Sequence, residues 1–250
     1  MIPEFLLIIA MIAGAFAAEE LGYRLGRLSG PRDEVFTKQL GLISSATFAL
    51  VAFLIGFGFS GAATRYVDGL DLVVKEANAL GTAYLRADAM QQPMRGELKE
   101  ALRGYAADRL ELLRSRDADT TARLLAKVGP QQNRLWEIAL RGTADNPPLM
   151  NFVLPPLNEV IDLHTTHLSA ARRHIPNAIL AALVASAVIS LALVSFGNGM
   201  VGRRFPILNS VYGLTLVIAL WMTIDLDHLR RGAIQVNVQP LIETFASFKP

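Results

Sequence analysis

The chain has no cysteine, which excludes disulfides, thiolate metal sites and a thiol nucleophile but assigns no redox compartment. Charge is scarce too: Asp, Glu, Lys and Arg make up 18% of the 250 residues, and 24 basic side chains nearly balance 22 acidic ones. A formal net charge of +2 supplies no basic field of the kind a nucleic-acid partner needs. Gly-rich phosphate loops, zinc-protease motifs and dinucleotide fingerprints are missing, so no cofactor is implied. What abounds is apolar residues, 52% of the chain at a mean hydropathy of +0.35, and this excludes a disordered polypeptide.

The apolar excess is concentrated. Four windows, Ile2 to Ala18, Leu40 to Ala63, Ile175 to Val201 and Phe205 to Ile224, contain no Lys or Arg, and Glu4 is their only acid. Each is close to the about 20 apolar residues that a helix needs to cross a hydrocarbon core. A soluble helix of that length would keep a polar face toward water. The sequence therefore predicts an integral membrane protein with four spans. In the first window, Ala15-Phe16-Ala17-Ala18 ahead of Glu19 and Glu20 also resembles a signal cleavage site, but no basic residue starts it, which favours an anchoring helix.

Between the second and third windows, Thr64 to His174 holds most of the charged residues, and its apolar residues recur at helical spacing, as in Leu98, Ala101, Leu102, Tyr105. The predicted fold class is an all-α membrane protein, with an extramembrane antiparallel helical bundle inserted between transmembrane helices 2 and 3. The domains are transmembrane helices 1 and 2 over 1–63, the bundle over 64–174, transmembrane helices 3 and 4 over 175–226, and a C-terminal tail over 227–250. Pro93 breaks the first bundle helix from the second, Gly129-Pro130 interrupts the third, and Asn146-Pro147-Pro148 with Pro155-Pro156 bends the chain before the last. Only polarity changes at Thr64 and His174, so the outer bundle helices are expected to continue unbroken from the spans. Ile234, Val236 and Val238 alternate with polar residues and suggest a short extended segment.

Several patterns carry chemistry. Ala49, Phe53, Phe57 and Ser60 lie at helical spacing on one stripe of the second span; around a symmetry axis such a stripe forms rings, and rings of Phe make a hydrophobic constriction that gates by dewetting. The bland alternative is that these aromatics meet lipid or other helices. Ala178, Ala182, Ser186 and Ser190 form a ladder of small residues that lets a helix approach closely. Asn177, Asn198, Asn209 and Thr223 suit hydrogen bonds between helices or an ion path. His164, His167 and His174 share one face of a continuous helix, where they could sense pH or bind a metal, although no carboxylate joins that face one turn earlier. Asp225 and Asp227 close the fourth span and, with Arg65 at the end of the second, are candidates for a pore mouth; Arg230 and Arg231 could pair with the two acids. Gly58-Phe59-Ser60-Gly61 fits the string of intramembrane serine proteases, but all four histidines fall outside the spans and leave Ser60 no base, so no catalytic residue is assigned. Interleaved charges such as Arg109-Leu110-Glu111 read as solvated faces.

Phe53-Leu54-Ile55-Gly56-Phe57 followed by Thr64-Arg65-Tyr66 resembles the bestrophin family, in which this pattern lines the narrow part of a pentameric ion pore. Glu76-Ala77-Asn78-Ala79-Leu80 with Thr82-Ala83-Tyr84, and Asp225-Leu226-Asp227 at the close, are similar to the bestrophin-like membrane proteins of bacteria and plants. The resemblance implies a homopentamer in the plasma (inner) membrane that passes inorganic ions, with Ala49, Phe53, Phe57 and Ser60 lining the pore. It implies a cytoplasmic bundle, whereas the bare start of the first span against the basic loop that follows places the bundle outside. The dense acidic cluster that bestrophins carry after their last span has no counterpart here, so no calcium site is expected. The competing class is a non-conducting, membrane-anchored helical module that binds a partner protein.

Overall fold

The computed structural model describes residues 4–30, 32–228 and 232–248, and their regular structure is helical throughout. Four stretches are long and apolar enough to cross a membrane: Phe5–Ser29, Glu34–Ala89, Pro147–Val201 and Pro206–Asp227. The second exceeds one bilayer, because the 53 residues of its main helix at about 1.5 Å each reach about 80 Å against a hydrocarbon core of about 30 Å. Within it, the apolar window from Leu40 to Ala63 has the length and composition to cross the hydrocarbon core. The chain is an integral membrane protein of two compact units.

The first unit comprises residues 4–30, 32–65 and 174–228: α1 (Glu4–Ser29), the first part of α2 (Glu34–Arg86), α6 (Asn177–Val201) and α7 (Pro206–Asp227). Asp33 starts α2 by accepting the Phe36 N–H at 2.8 Å. Gly202, at φ +71°, ends α6 in the left-handed conformation that lets the Arg203 N–H reach back to the Asn198 carbonyl. Val51, Ile55, Leu183, Leu191 and Leu220 form the core. The closest approach is between α1 and α6. A Cβ added at Gly22, Gly26 or Gly199 would overlap the backbone carbonyl of Ala192, Phe196 or Tyr23. Hydrocarbon gives helices no hydrophobic reason to associate, so this unit gains its cohesion from backbones that small residues allow to touch. The ladder read from Ala178 to Ser190 is not that contact: Ala178 and Ala182 are exposed. On α1 the contact runs instead through Gly22 and Gly26, two small residues four apart.

The second unit comprises residues 66–173 and 232–248: the last part of α2, a 3₁₀ turn (Ala87–Ala89), α3 (Met94–Arg114), α4 (Ala118–Thr143), α5 (Pro147–Arg172) and α8 (Gln239–Ser247). Its core contains Leu80, Leu98, Leu102, Tyr105, Leu135, Ile138, Leu157 and Leu241. Burying these side chains drives folding here as it does in soluble proteins. Asp117 caps α4 by accepting from the Thr120 N–H at 2.7 Å, and Asn146 caps α5 ahead of Pro147 and Pro148, whose missing N–H groups cost nothing in a first turn. The Phe248 ring stacks on Tyr84, centroids 4.1 Å apart.

Four expectations need correction. Gly129-Pro130 does not interrupt α4, because both residues are exposed while Val128 on one side and Leu135 and Ile138 on the other hold both halves of the helix on the same core. Pro155-Pro156 lies inside α5, and Pro156 is itself part of the buried face. The helix from Thr64 is continuous with the second span, but α5 ends at Arg172 and α6 begins only after Pro176. Pro176 disfavours helical backbone at Ile175, and the Ile175 N–H is taken by Asp227 and not by a helical carbonyl, so the chain stays non-helical between the two helices. Finally, residues 235–238 form no strand and lead into α8.

Gly22→Leu is expected to lower stability by about 1–3 kcal/mol, or to prevent folding, because α1 and α6 must separate. The same change at Gly14, which faces open space, should be near neutral. Thermal unfolding of both variants in detergent, followed by circular dichroism, makes the comparison.

Candidate functional site

On α2, Val51, Ile55, Gly58 and Ala62 are buried, which fixes the register of the helix. Ala49, Phe53, Phe57 and Ser60 consequently share its exposed side, with Phe53 68% and Phe57 70% accessible. Between Ser45 and Ser60 their exposed neighbours include the small Ser45, Ala46, Ala52 and Gly56, together with the larger Leu50 and Phe59, and Leu42 lies exposed further down the same side. The exposed face of α7 differs, presenting Ile207, Leu208, Val211, Leu214 and Ile218. Long aliphatic side chains suit lipid tails, whereas small residues suit the close approach of another helix. Thr64 Oγ1 donates to the Ser60 carbonyl at 3.0 Å, satisfying its own hydroxyl within the helix.

The three residues expected at a pore mouth lie in the same unit, and two of them pair. Arg65 Nη2 is 2.8 Å from Asp227 Oδ1. The buried Asp227 carboxylate also accepts the Ile175 N–H, at 3.0 and 3.1 Å to its two oxygens, and has His174 Nδ1 at 3.4 Å. Asp227 thus ties α2, the turn before α6 and the end of α7 together. Asp225 is buried as well. The His174 ring stacks on His228 with centroids 5.2 Å apart. Arg230 and Arg231 lie outside the described residues. Asn198 donates to Asn209, and Asn209 to Ser195, each at 3.1 Å, so these polar groups join α6 to α7; Thr223 instead bonds the Ala219 carbonyl of its own helix.

The expected face of three histidines does not form, because α5 stops at Arg172 and His174 turns to Asp227 instead. Among the described residues no group of three His, Asp or Glu side chains is arranged to hold a metal ion. His164 and His167 instead join a buried network. Glu76 receives Arg109 Nε in a short hydrogen bond and Arg109 Nη2 at 2.9 Å. His167 Nε2 lies 3.0 Å from Glu76 Oε2 and 3.3 Å from the Leu72 carbonyl; both are acceptors, so this nitrogen carries a proton. Arg109 Nη1 is 3.2 Å from His164 Nδ1, which must therefore accept, leaving the ring proton of neutral His164 on Nε2. Burial alone would raise the Glu76 carboxyl, but the hydrogen bonds from His167 and Arg109 outweigh it and hold Glu76 at about 2. Burial, and then the charge of Arg109, lower the His164 imidazole.

Arg109 was expected on a solvated face and is 2% exposed. Its position was readable: Leu98, Leu102, Tyr105 and Arg109 fall on one helical stripe, as do Val73, Glu76, Ala77 and Leu80. Glu76→Gln should cost about 3–5 kcal/mol by leaving the Arg109 charge unpaired, whereas Glu76→Leu with Arg109→Met should cost much less. Chemical denaturation of the full chain compares the two. The depressed Glu76 value stabilises the fold above the ordinary carboxyl value of 4.5, and this contribution is lost as pH falls toward about 2. Acid unfolding of Glu76→Leu with Arg109→Met should accordingly be less steep in that window than that of the wild type.

A family model for the bestrophin-like domain matches residues 12–241. No curated protein matches. Among solved structures, a single-substitution variant of a bacterial bestrophin homologue from Klebsiella pneumoniae aligns at 16% identity and a TM-score of 0.69, over 96% of this chain and 95% of the other. A second structure of that homologue aligns at 15% identity and a TM-score of 0.67, over 98% and 96%. A variant described only as a membrane protein gives 14% identity and a TM-score of 0.69, over 98% and 97%. At such identities the structures establish a shared fold, and with the family match over nearly the whole chain, this protein belongs to the bestrophin-like family.

Proposed function

We propose that the protein is a homo-oligomeric, pentameric ion channel of the plasma (inner) membrane, in which copies of α2 surround the axis. The observation that carries this reading is the exposed stripe of Ala49, Phe53, Phe57 and Ser60 on a helix face that also carries the small Ser45, Ala46, Ala52 and Gly56. A membrane helix that faced lipid alone would have no need of that composition. Clustered about an axis, Phe53 and Phe57 form two apolar rings one helical turn apart, a constriction that opens by wetting. Ala49 and Ser60 flank it. Arg65 and Asp227, paired within each subunit, are the charged groups at the end of this stripe, with Asp225 close by in sequence. The extramembrane bundle lies in the cytoplasm on this reading and extends the conduit. The lipid bilayer, inorganic ions and further copies of the chain are its partners.

Mass determination in detergent should return a multiple of the protomer, and five copies if the family likeness extends to assembly. Purified protein in planar bilayers should pass current, and Phe53→Ala or Phe57→Ala should change conductance or open probability severalfold. A monomeric mass, or a silent wild type that neither substitution alters, favours the non-conducting module that binds a partner.

A further inference from the structure

The extramembrane unit contains a cavity of about 90 Å³ between α2, α3, α5 and the segment before α8. That is room for several water-sized groups. Leu72, Leu112, Leu168 and Val238 form much of its wall, which holds water poorly, and its polar lining includes Arg109, His164 and His167. The donors on that side are incompletely used. Among the described residues, Arg109 places Nε and Nη2 on Glu76 and Nη1 on His164, so two of its five N–H groups remain available although the side chain is buried. His164 accepts through Nδ1, and among the described residues its Nε2–H has no partner. A buried group with unfilled donors beside an apolar hollow calls for a molecule that is an acceptor at one end and hydrocarbon at the other.

We propose that this cavity binds a small monocarboxylate with a short aliphatic body. The carboxylate takes the free N–H groups of Arg109 and the Nε2–H of His164, while the alkyl chain lies against Leu72, Leu112 and Leu168. A cation offers no acceptor to these donors, and a halide leaves the apolar volume unfilled. Glu76 on α2 and Arg109 on α3 cancel in charge, so the ligand brings one net negative charge beside donors that the pair leaves over. This inference does not depend on conduction.

The test is equilibrium dialysis of the full chain in lipid nanodiscs against radiolabelled butyrate, with butylamine as the cationic control. Saturable uptake of one butyrate per chain, displaced by unlabelled butyrate and not by butylamine, is expected. Affinity should fall by about tenfold or more in Ala171→Phe, which fills the cavity wall, and in His164→Phe, which removes a donor; circular dichroism and size-exclusion profiles check that both variants fold. Independently of any variant, an alkyl-diazirine carboxylate of similar size should label the peptides containing Leu112 or Leu168 on illumination. Uptake linear in concentration, uptake unchanged in both folded variants, displacement by chloride as effective as by butyrate, or labelling confined to other peptides would each overturn the proposal.

Discussion

Hydrocarbon supplies neither hydrogen bonds nor a hydrophobic reason for one helix to prefer another, and the membrane-spanning unit is organised around that constraint. Its cohesion comes from contact between backbones, where Gly22 and Gly26 on α1 meet Ala192 and Phe196 on α6 with no room for a side chain. Polar groups are few and mostly spent on one another, as in the chain from Asn198 through Asn209 to Ser195. By contrast, α2 meets the rest of its unit through the side chains of Val51 and Ile55. The opposite face of the same helix, where small residues alternate with Phe53, Phe57 and a few other large side chains, is left for something outside the protomer.

The extramembrane unit obeys the physics of water. Its apolar residues collapse onto a common core to which α8 contributes Leu241. Charge enters that core only where it is matched: Glu76 and Arg109 are both buried and hold each other in a bidentate pair, with His167 completing the carboxylate's shell. Such a pair adds little net stability over a hydrocarbon substitute, yet either member alone would be costly, so the two are coupled. The cavity beside them is where this coupling leaves hydrogen-bonding capacity over.

The Asp227 carboxylate does similar work at the end of the membrane unit. It takes a guanidinium from α2 and a backbone N–H from the turn before α6. Ile175 sits directly ahead of Pro176, which disfavours helical backbone, and since Ile175 lies between α5 and α6 its N–H needs an acceptor. Asp227 provides it, giving the acid a structural task alongside any role at a pore mouth.

Composition alone identified the solvent of each segment, because runs without Lys or Arg suit only lipid and a charged stretch with helical periodicity suits water. The Phe53 to Tyr66 spacing also pointed to the right family. Local signals misled where burial overruled them. Pro130 and the Pro155-Pro156 pair read as breaks, but helix faces anchored on both sides of a proline stay in line despite a lost hydrogen bond. Arg109 looked solvated because its charge was weighed without its position on an apolar stripe, and the three histidines were separated because α5 ends at Arg172. Linear order determines which residues can share a helix face, since that depends only on the pitch of the helix. Which faces meet, and hence which charges pair, which glycines touch and where a hollow remains, was decided by tertiary packing, because those contacts join residues far apart along the chain.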